Sequence, residues 1–168
     1  MKLQHKSLVF FFSLLISTFS FAQKKVTSPA ETVSGKINGA TITIKYGSPS
    51  VKGRAIWGAL VPYDKVWRAG ANDATTFETD KTITIEGKQL PAGKYSFFVI
   101  PNENESIIIF NKEANQWGSY DYKASSDQLR VTVKNENGDA LVEKLEYKIM
   151  ETRIELLWEK LIIGFEVK

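Results

Sequence analysis

The chain has 168 residues, 43% of them hydrophobic, and its formal net charge of +3 is spread without any like-charge block, so it has no nucleic-acid footprint. It has no cysteine, and its single histidine is His5. Beyond the N-terminal segment this removes thiolate nucleophiles, Ser-His-Asp catalysis and the ordinary zinc, copper or haem ligand sets; chemistry would fall to carboxylates, Tyr, Lys, Arg, Ser or Thr.

Lys2 and Lys6 precede an apolar run, Leu8 to Phe21, that ends in Ser20-Phe21-Ala22. A basic start, a short apolar stretch and small residues at the cleavage positions form the layout of a secretory signal. The run is about 14 residues long, against the roughly 20 that a spanning helix needs. Residues 1–22 are expected to be removed, leaving Gln23 first and no membrane span. The protein is then exported, periplasmic or extracellular. Loss of the two lysines brings the formal charge to about +1. No cysteine follows the run, which excludes a lipid anchor on an N-terminal Cys. Without disulfides the core alone must hold the domain, and a chain of this length can bury enough apolar surface to do so.

Residues 23–34 read as a flexible polar leader, and 35–168 as one domain. Thr41-Ile42-Thr43-Ile44-Lys45-Tyr46 alternates polar and apolar, as a half-buried strand does, and Thr82 to Ile85 repeats the pattern before a turn at Glu86-Gly87-Lys88. Lys94 to Ile100 is apolar on both faces and closes at Pro101, which suits a central strand. In Leu90-Pro91-Ala92-Gly93-Lys94-Tyr95, Pro and Gly form a corner that Leu90 and Tyr95 can anchor. Ser106 to Phe110 is a further strand, and Leu129, Val131 and Val133 share one face of the next. Asn135 to Gly138 reads as a turn. Leu145, Tyr147 and Ile149, then Ile154, Leu156 and Trp158, then Leu161, Ile163, Phe165 and Val167 predict a meander, with turns near Glu151-Thr152 and Glu159-Lys160. The expected fold is all-β: an antiparallel β-sandwich of about 8–10 strands, with a β-barrel as the alternative.

Two segments break the alternation, Gly47 to Thr76 and Asn115 to Tyr122. They hold three of the four tryptophans. Long loops of this kind in a compact domain are often functional. The stretches YGSPSVKGR, LVPYDKVWRAGANDAT, LPAGKYSFFVIP and NQWGSYDY resemble the signature of a bacterial family, domain of unknown function 2911. The likeness runs from about Ser28 to the C-terminus; Ala69 stands where Thr is frequent. It implies a Bacteroidetes-type origin, export and a single domain. It implies no activity, and makes the two aromatic-basic loops family features.

If the loops meet, Trp57, Trp67, Trp117 and Tyr120, with Tyr63 and Tyr122, could stack on a ligand, Arg54 and Arg68 could pair with negative groups, and Asn72 could hydrogen-bond. Set against this, tryptophans commonly plug the end of a β-fold, and Arg stacks on Trp for structural reasons alone. A carboxylate pair drawn from Asp64, Asp73, Glu78 and Asp121 would make a glycosidase-like hydrolase, provided two of them lie at a suitable separation. Asn135 to Asp139 lacks the spacing of a calcium loop. The residues favour a non-catalytic module that binds a glycan, a small polar or anionic ligand, or an envelope protein. No catalytic residue, metal ligand or cofactor is expected.

Overall fold

A computed structural model describes residues 28–168; the expected signal peptide and the first part of the leader lie outside the described residues. Strand β1 (Ala30–Ile37) turns at Asn38-Gly39 into β2 (Ala40–Gly47). Both turn residues have positive φ, 49° and 77°, the geometry that matches strand twist in a two-residue hairpin. β2 buries Ile42 and Ile44 and turns Lys45 outward. β1 begins inside the expected leader. Its polar composition hides a strand because three of its first four residues are exposed, and pairing with β2 fixes it.

β3 (Thr75–Thr79) follows the long loop, and the hairpin β4 (Ile83–Ile85) and β5 (Lys88–Leu90) turns at Glu86-Gly87, again with two positive φ values. β6 (Gly93–Pro101) and β7 (Glu105–Asn111) are central. At the corner before β6, Tyr95 Oη donates to Pro91 O at 2.9 Å. β8 (Asp127–Ile149) and β9 (Arg153–Glu166) complete a seven-stranded antiparallel sheet in the order β1-β2-β3-β6-β7-β8-β9.

The meander differs from expectation at two points. Asn135 to Gly138 is no turn; β8 runs through it. Asn135 instead accepts from Ser106 Oγ at 2.7 Å and donates to Asn102 O at 2.7 Å, which fastens β8 to the β6–β7 connection. Glu159-Lys160 is also inside a continuous strand. Glu159 has φ 58°, and the register between β8 and β9 shifts there, so the turn chemistry read from the sequence serves a bulge.

The sheet curls on itself. After β2, Ser48 to Val51 pairs with the second half of β8: Leu145 N donates to Pro49 O at 2.9 Å, Val51 N to Glu143 O at 2.8 Å, and Ser48 Oγ to Leu145 O at 2.7 Å. The seven-stranded sheet therefore builds a half-barrel around the main core, with β4–β5 as a separate two-stranded sheet and a smaller apolar cluster around Phe98 and Ile109, which keeps the all-β antiparallel class and fits a sandwich-like or barrel-like fold. Phe77, Phe97, Phe110 and Phe165 pack inside it, with ring centroids 5.0 to 6.3 Å apart. The β4–β5 hairpin joins the chain just past β9 through an Ile85–Val167 bridge. Toward the far end of β6 the long loop lies beside the strand where β3 does not reach: Trp67 and Val99 exchange backbone hydrogen bonds at 2.8 and 2.9 Å. This pairing positions the candidate site. Among the described residues no helix is long and apolar enough to cross a membrane.

Candidate functional site: two cavities beside one strap

The strap is Ala69 to Asn72. Ala69 and Asn72 are non-glycine residues at φ 51° and 66°, a region L-residues avoid unless their surroundings fix it. Here they are fixed. Ala69 O accepts from Tyr147 Oη at 2.7 Å and from Thr75 Oγ1 at 3.0 Å, and Trp67 Nε1 donates to Gly70 O at 3.2 Å. Ala71 N donates to Gly47 O at 3.2 Å. The strap and β2 approach so closely that a Cβ on Gly47 would sit 2.2 Å from Ala71 O. Burial in the core pushes the Tyr147 phenol well above its usual pKa, partly offset by a hydrogen bond with Thr75.

The two irregular loops do meet. Ala74 N donates to Gln116 O at 3.0 Å, and Asp73 bridges Trp117. Gly118, at φ 65°, then turns the chain; a Cβ there would lie 3.4 Å from Arg68 Nη1 and 3.0 Å from the Tyr120 ring.

A cavity opens on each side of the strap, and Ala71 lines both. The first, about 480 Å³, has Lys52, Arg54, Lys65 and Arg68 in its wall, and no Asp or Glu. None of these four cations forms an ion pair among the described residues. Glu143 comes nearest in kind, accepting from the backbone N of Lys52 at 3.0 Å. Arg54 is held by its own turn, donating from Nε to Val51 O at 3.0 Å and from Nη2 to Ser50 O. Trp67 and Trp158, stacked at 6.0 Å and 16°, belong to the apolar part of the wall with Leu60, Val61 and Val66. Arg68 Nε and Trp158 Nε1 are buried with no acceptor among the described residues.

The second cavity, about 560 Å³, is lined by Asn72 and Trp117 among others. Its charged residues balance, Lys45 and Lys94 against Glu31 and Asp73.

The expected single pocket is thus divided. Arg54, Trp67 and Arg68 line the basic cavity, and Asn72 and Trp117 the other. Trp57, Tyr63, Tyr120 and Tyr122 line neither. Trp57 completes a cluster with Trp67 at 5.6 Å and Trp158 at 6.0 Å, packed on the core. The Tyr63 ring covers Gly58. Tyr120 is 81% exposed. Tyr122 packs on Phe98, 5.2 Å away on the outer face of the sheet, and its Oη donates to Asp127 at 2.7 Å with Arg130 beside it. Burial, then the Asp127 contact, raises its pKa. Of the four candidate carboxylates only Asp73 lines a cavity. Asp64 accepts from Asn102 Nδ2 at 2.8 Å, and Glu78 lies on β3 opposite Lys94.

Sequence reasoning missed Lys52, Lys65, Trp158 and Gln116. Lys52 and Lys65 were within reach, since each stands two or three positions before an arginine already singled out. Trp158 alternates with its neighbours as an ordinary core residue, and nothing local marks it.

These observations define a curled antiparallel β-domain that presents two open cavities, one mainly on the long irregular loop and one between the loops and the sheet. Residues 28–167 match the family model described as Protein of unknown function (DUF2911), and the chain belongs to that family. No curated protein and no solved structure gives a match.

Proposed function

We propose that the protein is an exported, non-catalytic binding module that takes a small anionic molecule in the basic cavity, in the periplasm or outside the cell. One observation carries the reading: four unpaired cations line a single cavity with no acidic partner in its wall. Like charges gathered around a concave surface raise the potential there, and an anion relieves their repulsion. The cavity volume of about 480 Å³ falls in the range of small-molecule sites. The Arg68 guanidinium makes no hydrogen bond among the described residues, so its fork is free for an oxyanion. Trp158 Nε1, a buried N–H without an acceptor among the described residues, adds uncompensated positive dipole in the same wall.

The test is thermal unfolding and calorimetric titration at low salt with inorganic phosphate, pyrophosphate and citrate. A ligand at about 100 times its dissociation constant should add roughly 2.7 kcal/mol of stability. Arg68→Gln and Lys65→Gln should each weaken binding about tenfold or more, equivalent to about 1.4 kcal/mol, and keep the fold. Absence of any shift with all three anions at low salt would falsify the reading.

A further inference from the structure

We infer that the second cavity, lined by Trp117, is a saccharide site that takes a neutral sugar ring, independent of the anion site across the strap.

Trp117 is 61% exposed, whereas Trp158 is 1% exposed and Trp57 and Trp67 are half-buried around it. An indole left in water forgoes the favourable burial of a large apolar surface. This one is not left loose. The Asp73 bridge and the Ala74 N to Gln116 O bond hold the backbone on one side, and the positive φ of Gly118 redirects the chain on the other. An exposed indole on a held backbone at a cavity wall suits a flat, partly apolar face, such as the C–H face of a pyranose.

The polar groups around it suit hydroxyls. Gln116 Nε2 is committed to Asn111 Oδ1 at 3.1 Å and Glu113 O at 2.7 Å. Its Oε1 is buried with no donor among the described residues. Asn72 Nδ2 is likewise used, donating to Ser28 O at 3.2 Å, which leaves its Oδ1 to accept. Asp73 and Glu31 are acceptors only, while Lys45 and Lys94 supply donors. The wall is therefore rich in acceptors yet electrically balanced. A charged ligand gains little there. A polyol, whose every hydroxyl both donates and accepts, matches it. The same reasoning sends anions to the other cavity, which has no acidic wall residue.

The probes are cellotetraose, the tetramer of N-acetylglucosamine, laminaritetraose and mannotetraose, titrated into the full chain. Tryptophan emission and iodide quenching report on Trp117, and calorimetry gives affinity. At least one probe should change the emission in a saturable way and protect it from iodide. Trp117→Ala should weaken that binding at least about tenfold. Trp117→Phe, which keeps a flat ring and so controls for a folding defect, should retain part of it. Lys65→Gln, which lines only the basic cavity, should leave saccharide affinity unchanged, so failure of the anion site would be seen separately. The inference is overturned if none of the four changes emission up to roughly 10 mM, beyond the millimolar range of weak specific binding. It is also overturned if Trp117→Ala binds as tightly as the parent, or if iodide protection tracks protein concentration and not sugar, which would make Trp117 a contact between copies.

Discussion

The two cavities share Ala71 and a similar size, yet their walls differ in kind. One gathers four cations from a single loop, Lys52 and Arg54 before the Trp57 turn and Lys65 and Arg68 after it. The other balances its charges and draws them from β1, β2, β6 and Asp73, just past the strap. A loop can concentrate one sign of charge because its side chains are not paired across a ladder. Strand residues face neighbours, and Glu78 opposite Lys94 shows how a sheet tends to neutralise itself. Ala71 is thus common to two cavities whose charged walls differ in kind.

The strap is the element on which both cavities depend through Ala71. Gly47→Ala would drive a Cβ to 2.2 Å from Ala71 O, a backbone atom that cannot swing aside. The strap should lift, destabilising the protein by about 1–3 kcal/mol in denaturant unfolding and weakening both kinds of ligand together. If only one ligand is affected, the two cavities do not depend on a common wall.

Tyr147→Phe loosens the same strap more gently. Losing the hydrogen bond to Ala69 O should cost about 1 kcal/mol at neutral pH. The pH dependence follows from its raised pKa. The unfolded phenol ionises near 10, while the folded one stays protonated above that value. The stability that burial confers is therefore complete below about pH 10 and is lost as the pH climbs further. Unfolding measured between neutral and strongly alkaline pH should show a fall that Tyr147→Phe reduces. An unchanged slope in the variant would assign the fall to other groups.

Salt sharpens the contrast without a mutation. Raising ionic strength from about 0.1 M to 1 M shortens the screening length from about 10 Å to about 3 Å. Anion affinity should drop severalfold, and saccharide affinity should stay level, in paired calorimetric titrations. The smallest effect belongs to Tyr120→Ala, since a side chain 81% exposed that lines neither cavity should change stability by less than about 0.5 kcal/mol and neither affinity.

How much of this was legible follows from how local each feature is. The alternation in β2, the two-sided apolar run of β6, the Tyr95 corner and the Glu86-Gly87 turn are written within a few residues, and they hold. The bulge at Glu159 carries the same turn chemistry as a hairpin, so only the partner strand tells the two apart. β1 was hidden for the opposite reason, an exposed polar face with its order supplied by β2. The loops were recognisable as the irregular, aromatic part of the chain. Their division into two cavities was not, because Trp67–Val99, Asp73–Trp117 and Ala74–Gln116 are contacts between distant residues. No periodicity encodes them.

The closure of the curled sheet has a kinetic consequence. Ser48 is bonded to Leu145, 97 residues further along the chain, so that seam is a contact of long sequence separation. Joining ends so far apart incurs its loop entropy before any contact rewards it, and folds dominated by such pairings form in milliseconds to seconds and not microseconds. Tyr147, whose hydroxyl grips the strap, lies next to the same seam. A chain cut short before β8 would thus lack the group that holds the strap in place, and both cavities should be among the last features to appear as the protein folds.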